Sequence, residues 1–225
     1  MNIFEIIEDN QVKVEYIDDS PIFTIDNFYK YPELVHEHIF DIPYAQGRVG
    51  LWKLNQKPSN NGIYFEDRRF HEFDERLMHI YFFLNTLIGD YPFRSDINTN
   101  VTYFKTDEES IKFNNYVDNY WWPHTDLGWN GIVYFHDEWG TNLYSPNHLD
   151  ITDNINEHHQ PWRSKEKYTL LKSLEPAYNK LVLFDGKKFP HGMNVTNEKY
   201  FGNKSRNNQV FFFDSKDSDI EYYCV

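Results

Sequence analysis

Cysteine is nearly absent from this 225-residue chain. The single one, Cys224, lies second from the C-terminus, so no intrachain disulfide can form, and its use fits a reducing compartment. A prenylation box needs cysteine fourth from the end and is excluded by the same residue. Long apolar runs are missing as well. The longest stretches stop at five or six residues, far short of a membrane span. The N-terminus, Met1-Asn2-Ile3-Phe4-Glu5, soon turns acidic and has no signal-peptide pattern. Basic charge is scarce, with 22 Lys and Arg against 35 Asp and Glu and a formal net charge of -13. Such a body works against binding nucleic acid, which depends on neutralising phosphates. The local strip Arg163, Lys165 and Lys167 does not reverse that. A soluble, intracellular (cytoplasmic) protein is expected.

Aromatic residues, by contrast, are plentiful. With 17 Tyr and 19 Phe, the chain is far richer in them than a disordered one. Its length suits one well-filled domain spanning residues 1–225. No internal repeat or long linker interrupts it.

Residues 1–97 read as a mixed, partly helical support region. Pro21 to Ile25 predicts a strand, and a helix follows near 31–40, with Asp26 or Asn27 as candidate caps. Phe70 to Ile88 predicts a longer helix. There Phe73, Leu77, Ile80, Tyr81, Leu84 and Leu87 recur at helical steps and Gly89 ends the pattern; core packing is the expected use of that stripe. From residue 98 the texture changes to short β-branched and aromatic runs between turns. Asn100–Lys105, Gly131–Phe135, Thr141–Tyr144, Leu181–Phe184 and Val210–Phe213 predict strands, the second and third joined as a hairpin through Asp137–Gly140. Residues 145–179 are polar and read as an irregular insertion or lid. The expected fold is α+β with a mainly β core at 98–214, a sandwich or jelly roll carrying the N-terminal helices on one side.

Three His-x-acid triplets occur: His124/Asp126, His136/Glu138 and His148/Asp150. A chain with 10 histidines and 35 acidic residues supplies such triplets by chance, so context must choose. His136 falls at the expected hairpin tip and His148 follows Ser145-Pro146-Asn147, both turn settings where a histidine is usually solvated. His124 follows Tyr120-Trp121-Trp122-Pro123, an aromatic segment expected to be partly buried. On extended backbone His124 and Asp126 share a face while Thr125 points away. Alone, the pair serves equally well as a histidine bonded to a neighbouring carboxylate. His191, 65 residues beyond Asp126, follows a strand and a turn and tips the balance. Two histidines and a carboxylate can cap one face of a ferrous ion and leave the other open, as O2-activating non-haem iron enzymes require. Arg206, 15 residues further on, stands at the start of a strongly apolar strand. Such a place is unusual unless the guanidinium fork has a partner.

At this point the chain resembles the 2-oxoglutarate and Fe(II)-dependent dioxygenase superfamily, in its prolyl-hydroxylase-like branch, over residues 98–214. His124-Thr125-Asp126 is similar to the family's His-x-Asp element, and Gly131 to Phe135 to the strand after it. Trp139 to Tyr144 resembles its Gly-rich strand, Leu181 to Gly192 the segment with the distal His, and Arg206 the basic clamp. The resemblance implies a double-stranded β-helix, with His124, Asp126 and His191 as Fe(II) ligands. Arg206 would hold the far carboxylate of 2-oxoglutarate, and Tyr134 would add a hydroxyl hydrogen bond. It also implies O2 as oxidant, succinate and CO2 as products, and hydroxylation of a peptidyl side chain or a small metabolite. Lys204 is the alternative clamp, Tyr103 and Tyr116 are alternative partners of the co-substrate, and Trp122, Trp129, Trp139 and Met193 are candidate pocket walls. Two other readings stay open: a cupin-type metalloenzyme with no use for Arg206, and a non-catalytic jelly-roll binding protein.

Overall fold

The computed structural model describes residues 1–41, 63–65, 74–94, 99–106, 115–146, 162–196 and 205–215. Antiparallel β-structure dominates them. The larger sheet runs β1 (Val12–Ile17), β2 (Ser20–Ile25), β11 (Lys180–Asp185), β7 (Trp129–Tyr134), β13 (Ser205–Phe213), β5 (Thr99–Thr106), β3 (Ile63–Phe65), with short β4 (Phe93–Arg94) also paired to β13. A smaller sheet runs β10 (Tyr168–Leu174), β8 (Thr141–Pro146), β12 (His191–Met193), and β6 (Asn119–Trp121) pairs with β9 (Trp162–Ser164).

The central strands are buried on both faces; β7 is buried at all six positions. Two different layers cover them, which explains why their sequences read as apolar runs and not as clean alternations. On the outer face Val133, Leu183 and Phe211 pack with Val35 and Ile39 of α1 (Pro32–Asp41) and with Ile80, Tyr81 and Leu84 of α2 (Met78–Ile88). On the inner face Ile132, Tyr134, Phe184 and Val210 meet Leu143 of β8 and Leu174 of β10. Each such side chain contributes about 1.5–3 kcal/mol when fully buried.

The strand at 21–25 and the first helix form where the sequence predicts them. Neither expected cap is used, because Asp26 pairs with Lys13 and Asn27 sits at φ 54° several residues before the helix. The long helix starts later than Phe70. Asp74 caps a 3-10 turn at Glu75–Leu77, α2 follows, and Gly89 ends it at φ 90°. Phe70 and Phe73 lie outside the described residues.

The hairpin expected between β7 and β8 does not form. β7 pairs with β11 and β13, and β8 with β10 and β12, so Asp137–Gly140 carries the chain from one sheet to the other. Trp139 takes φ 62° in this crossing. A Cβ on Gly140 would lie 2.1 Å from the Leu174 carbonyl oxygen, so only glycine passes there. Within the stretch expected to be irregular, β9 and β10 are regular strands; residues 147–161 lie outside the described set. Among the described residues no helix is long and apolar enough to cross a membrane.

Candidate metal centre and anion pocket

His124 lies just beyond β6 (Asn119–Trp121). Trp122 sits at φ 41° before Pro123, a left-handed conformation that costs a bulky residue on the order of 1–3 kcal/mol. The segment then runs extended alongside β12. His124 N–H donates to the His191 carbonyl at 3.0 Å and His191 N–H to the His124 carbonyl at 2.8 Å. This antiparallel bridge brings the two histidines to one place. Gly192 permits it, because a Cβ there would meet the Trp121 carbonyl oxygen at 2.1 Å. Thr125 is exposed between half-buried His124 and Asp126, as the alternation predicts.

Both imidazoles are oriented by backbone carbonyls two residues upstream. His124 Nδ1 donates to Trp122 O at 2.8 Å and His191 Nδ1 to Phe189 O at 3.0 Å. A carbonyl only accepts, so each Nδ1 carries a proton, and Nε2 is the ring atom free to act as a ligand when the ring is neutral. One potential ligand atom from each of His124, Asp126 and His191 lies within 4.8 Å of the others. His191 Nε2 stands 3.2 Å from Asp126 Oδ2. A lone pair against a carboxylate is a contact that a cation, whether proton or metal, would relieve.

Asp126 is held from two sides. Its N–H donates to the Gly186 carbonyl at 2.9 Å, and Asn130 Nδ2 donates to its Oδ2. Burial works to raise its pKa, yet a hydrogen bond from protonated His191, the charges that His124 and His191 carry when protonated, and the Asn130 amide hold the carboxyl well below the usual range. Asn130, 2% exposed, also reaches His191 Nε2 at 3.0 Å, and its buried Oδ1 has no hydrogen-bond partner among the described residues.

The triad opens into a cavity between the sheets. Ile132, Val210 and Phe212 form an apolar part, Trp121, Trp122 and Met193 another, and Arg206, Thr141 and Asn208 a polar end. Arg206 is 6% exposed. Its Nε donates to the Trp139 carbonyl at 2.9 Å and Nη2 to Thr141 Oγ1 at 3.2 Å. With the Asn208 amide in the orientation that gives every atom a complementary partner, Asn208 Oδ1 accepts from Nη1. Three of the five guanidinium N–H groups are then engaged, leaving one on each terminal nitrogen. No carboxylate among the described residues pairs with Arg206. Burial lowers its pKa to about 10, so it is charged at neutral pH. An unpaired buried charge is costly, and the two remaining N–H groups match one bidentate carboxylate.

Tyr134 stands behind this end and does not line the cavity. Its ring lies 5.7 Å from the Arg206 guanidinium, and its hydroxyl shares a 2.7 Å hydrogen bond with Thr141. Trp122 and Met193 line the cavity; Trp129 packs in the outer core and Trp139 contributes its carbonyl to Arg206. Tyr116 borders a separate hollow with Tyr120 and Lys165. The side chain of Tyr103, together with Lys204 and His148, lies outside the described residues. The strip Arg163, Lys165, Lys167 is broken up: Arg163 is buried and Lys165 bonds the Val117 carbonyl.

Sequence reasoning missed Asn130, Thr141, Asn208 and His136. His136 is no solvated turn residue, for its Nε2 lies 3.0 Å from the Asn208 amide. Strand alternation places Asn130 and Ile132 on the face of Tyr134, a signal that could have singled Asn130 out. No protein-family model matches the chain, and no curated protein matches it either.

Proposed function

We propose that this protein is an Fe(II)- and 2-oxoglutarate-dependent oxygenase that hydroxylates a C–H bond of a peptidyl side chain or small metabolite. The observation that carries this reading is one cavity holding both a His-Asp-His triad and a buried arginine with which no carboxylate among the described residues pairs. A cupin-type metalloenzyme would need the first but not the second. A mere binding scaffold would gain nothing from keeping a costly unpaired charge beside them.

The strand order supports the same reading at the level of the fold. β5, β13, β7 and β11 are neighbours in one sheet, and the His124 segment, β12, β8 and β10 succeed one another in the other. Along the chain these segments cross between the sheets, with β8 and β10 consecutive in the smaller one. We read this alternation between two antiparallel sheets as jelly-roll connectivity.

In this reading His124, Asp126 and His191 hold the metal, and the Nδ1 contacts to Trp122 and Phe189 keep the Nε2 atoms aimed at it. Asn130 steadies Asp126. Arg206 takes the distal carboxylate of 2-oxoglutarate; Thr141 and the Trp139 carbonyl fix the guanidinium plane, and Tyr134 backs both. When bound, the iron and 2-oxoglutarate supply the oxidising chemistry, consuming O2 and yielding succinate and CO2. Ile132, Val210 and Phe212 limit water around the site, and Trp121, Trp122 and Met193 wall the side from which a substrate would approach. A net charge of -13 favours a neutral or basic substrate over nucleic acid.

The test is an anaerobic titration of the Fe(II)-loaded protein with 2-oxoglutarate, following the visible charge-transfer band of the chelate. A saturable band is expected. Arg206→Ala should weaken 2-oxoglutarate by about tenfold to a hundredfold, the worth of charged hydrogen bonds, with iron affinity unchanged. Iron binding with no band, or Arg206→Ala behaving as wild type, would overturn the reading.

A further inference from the structure

Behind the carboxylate-facing end of Arg206 lies a polar chain that the metal site does not use. Asn208, 1% exposed on β13, faces the same way as Arg206, two residues along the strand. Its Nδ2 donates to His136 Nε2 at 3.0 Å and to the Asn207 carbonyl at 3.1 Å, while its Oδ1 accepts from Arg206 Nη1. The reverse orientation would set an amide donor against a guanidinium donor. Arg206, the Asn207 carbonyl and a neutral His136 therefore all select the same orientation of the amide. A ring whose Nε2 is a bare lone pair demands a donor, which sends Oδ1 to Arg206.

We propose that His136 and Asn208 form a positioning relay for Arg206, in which neutral His136 fixes the Asn208 amide and the amide fixes the guanidinium for an incoming carboxylate. The proposal rests on the reading of Arg206 as a carboxylate clamp. Three observations bear on it. His136 comes from the crossing between the sheets and Asn208 from the central strand, so the relay ties together the two elements that flank the clamp. Trp139, in the same crossing as His136, supplies the carbonyl that accepts from Arg206 Nε. The groups facing His136 also favour its neutral form on balance. Burial and the Arg206 charge lower its pKa to about 4, against the Asn208 bond, a backbone hydrogen bond at Glu138 and the charge of Asp137, which raise it; the Tyr134 ring packs edge-on at 5.5 Å. Protonated His136 would set a donor at Nε2 against Asn208 Nδ2 and so loosen the amide's hold on Arg206 Nη1.

The experiment pairs two readouts on the full chain, for wild type, His136→Gln and Asn208→Leu. The first is 15N NMR of metal-free protein labelled at histidine and arginine. The second is 2-oxoglutarate affinity of the Fe(II)-loaded protein under anaerobic conditions, compared at pH 7.5 and 6. In wild type, His136 should show an unprotonated Nε2 down to pH 6, and Arg206 a slowly exchanging guanidinium. Asn208→Leu should release the Arg206 signal and weaken 2-oxoglutarate about tenfold without loss of iron. His136→Gln keeps an acceptor that does not titrate and should preserve both. An Nε2 protonated at pH 7.5, or an Arg206 signal untouched by Asn208→Leu, would overturn the relay. Expected NMR results with no 2-oxoglutarate binding in wild type would support the relay and sink the carboxylate reading instead.

Discussion

Asn130 has one amide and two claims on it. Its Nδ2 donates to Asp126 Oδ2 and reaches His191 Nε2, the very atoms a metal would use, and its buried Oδ1 has no partner among the described residues. A metal drawing on the His191 lone pair leaves Asn130 with Asp126 alone, as an outer hydrogen bond that aims the carboxylate. Asn130→Ala should lower Fe(II) affinity about tenfold to a hundredfold, the usual effect of losing such a partner, in a competitive titration against a metal-binding dye. An unchanged affinity would mean that the Gly186 carbonyl contact alone aims Asp126. Two tryptophans carry a related burden. Trp122 and Trp139, both in the left-handed region, supply the carbonyls that orient His124 and Arg206, so backbone strain coincides with the site at both ends. In the sequence, the triad and Arg206 could be picked out because residue type and local spacing mark them. Asn208 and His136 could not, because they take their roles from a contact 72 residues apart; strand alternation marks the face of Asn130 but not its contact with His191, 61 residues on.

Strand β13 divides by composition. Its first half, Arg206-Asn207-Asn208-Gln209, is buried yet polar, and its second half, Val210 to Phe213, is apolar. Arg206 and Asn208 are answered by the clamp, Gln209 by the Tyr29 hydroxyl at 2.5 Å, and the Asn207 amide nitrogen by His36 of α1 at 3.3 Å, with Asn207 Oδ1 left buried and unpartnered among the described residues. β12 shows the opposite economy, three residues whose value lies in position. Gly192 lets the Trp121–Trp122 backbone pass close enough for His124 and His191 to pair. In Gly192→Ala the Cβ meets the Trp121 and Trp122 backbone, which cannot yield as a flexible side chain would. That variant should lose metal binding by at least tenfold while the larger sheet stays folded, a split read by metal titration beside thermal unfolding. Metal affinity equal to wild type would show that the bridge is not what assembles the triad. The same element-level view explains the missed crossover. Gly131–Phe135, a turn and Thr141–Tyr144 carry every local mark of a hairpin. Only their long-range partners, β11 and β13 for one and β10 and β12 for the other, place them in different sheets.

Across the whole molecule, charge and buried histidines pull in opposite directions as pH falls. Protonation reduces the self-repulsion of a chain carrying -13 and so favours the compact state. Burial lowers the pKa of half-buried His36, and burial together with the Arg206 charge lowers that of His136 to about 4, from an ordinary 6.5. The unfolded chain therefore takes up protons before the folded one does. The contribution of these rings is complete above pH 6.5 and is lost as pH falls below it, down to about 4 for His136. Asp126, held low, adds a second loss below its ordinary value of 3.8. Urea unfolding of the metal-free protein at pH 7.5 and 5 separates the terms, because wild type and His136→Gln share the global charge effect and differ in the one ring. Over that window wild type should lose roughly 2 kcal/mol more than His136→Gln, the linkage expected for a histidine shifted from 6.5 to about 4. Parallel losses in the two proteins would mean that His136 titrates alike folded and unfolded. The buried, neutral ring behind the clamp would then be wrong.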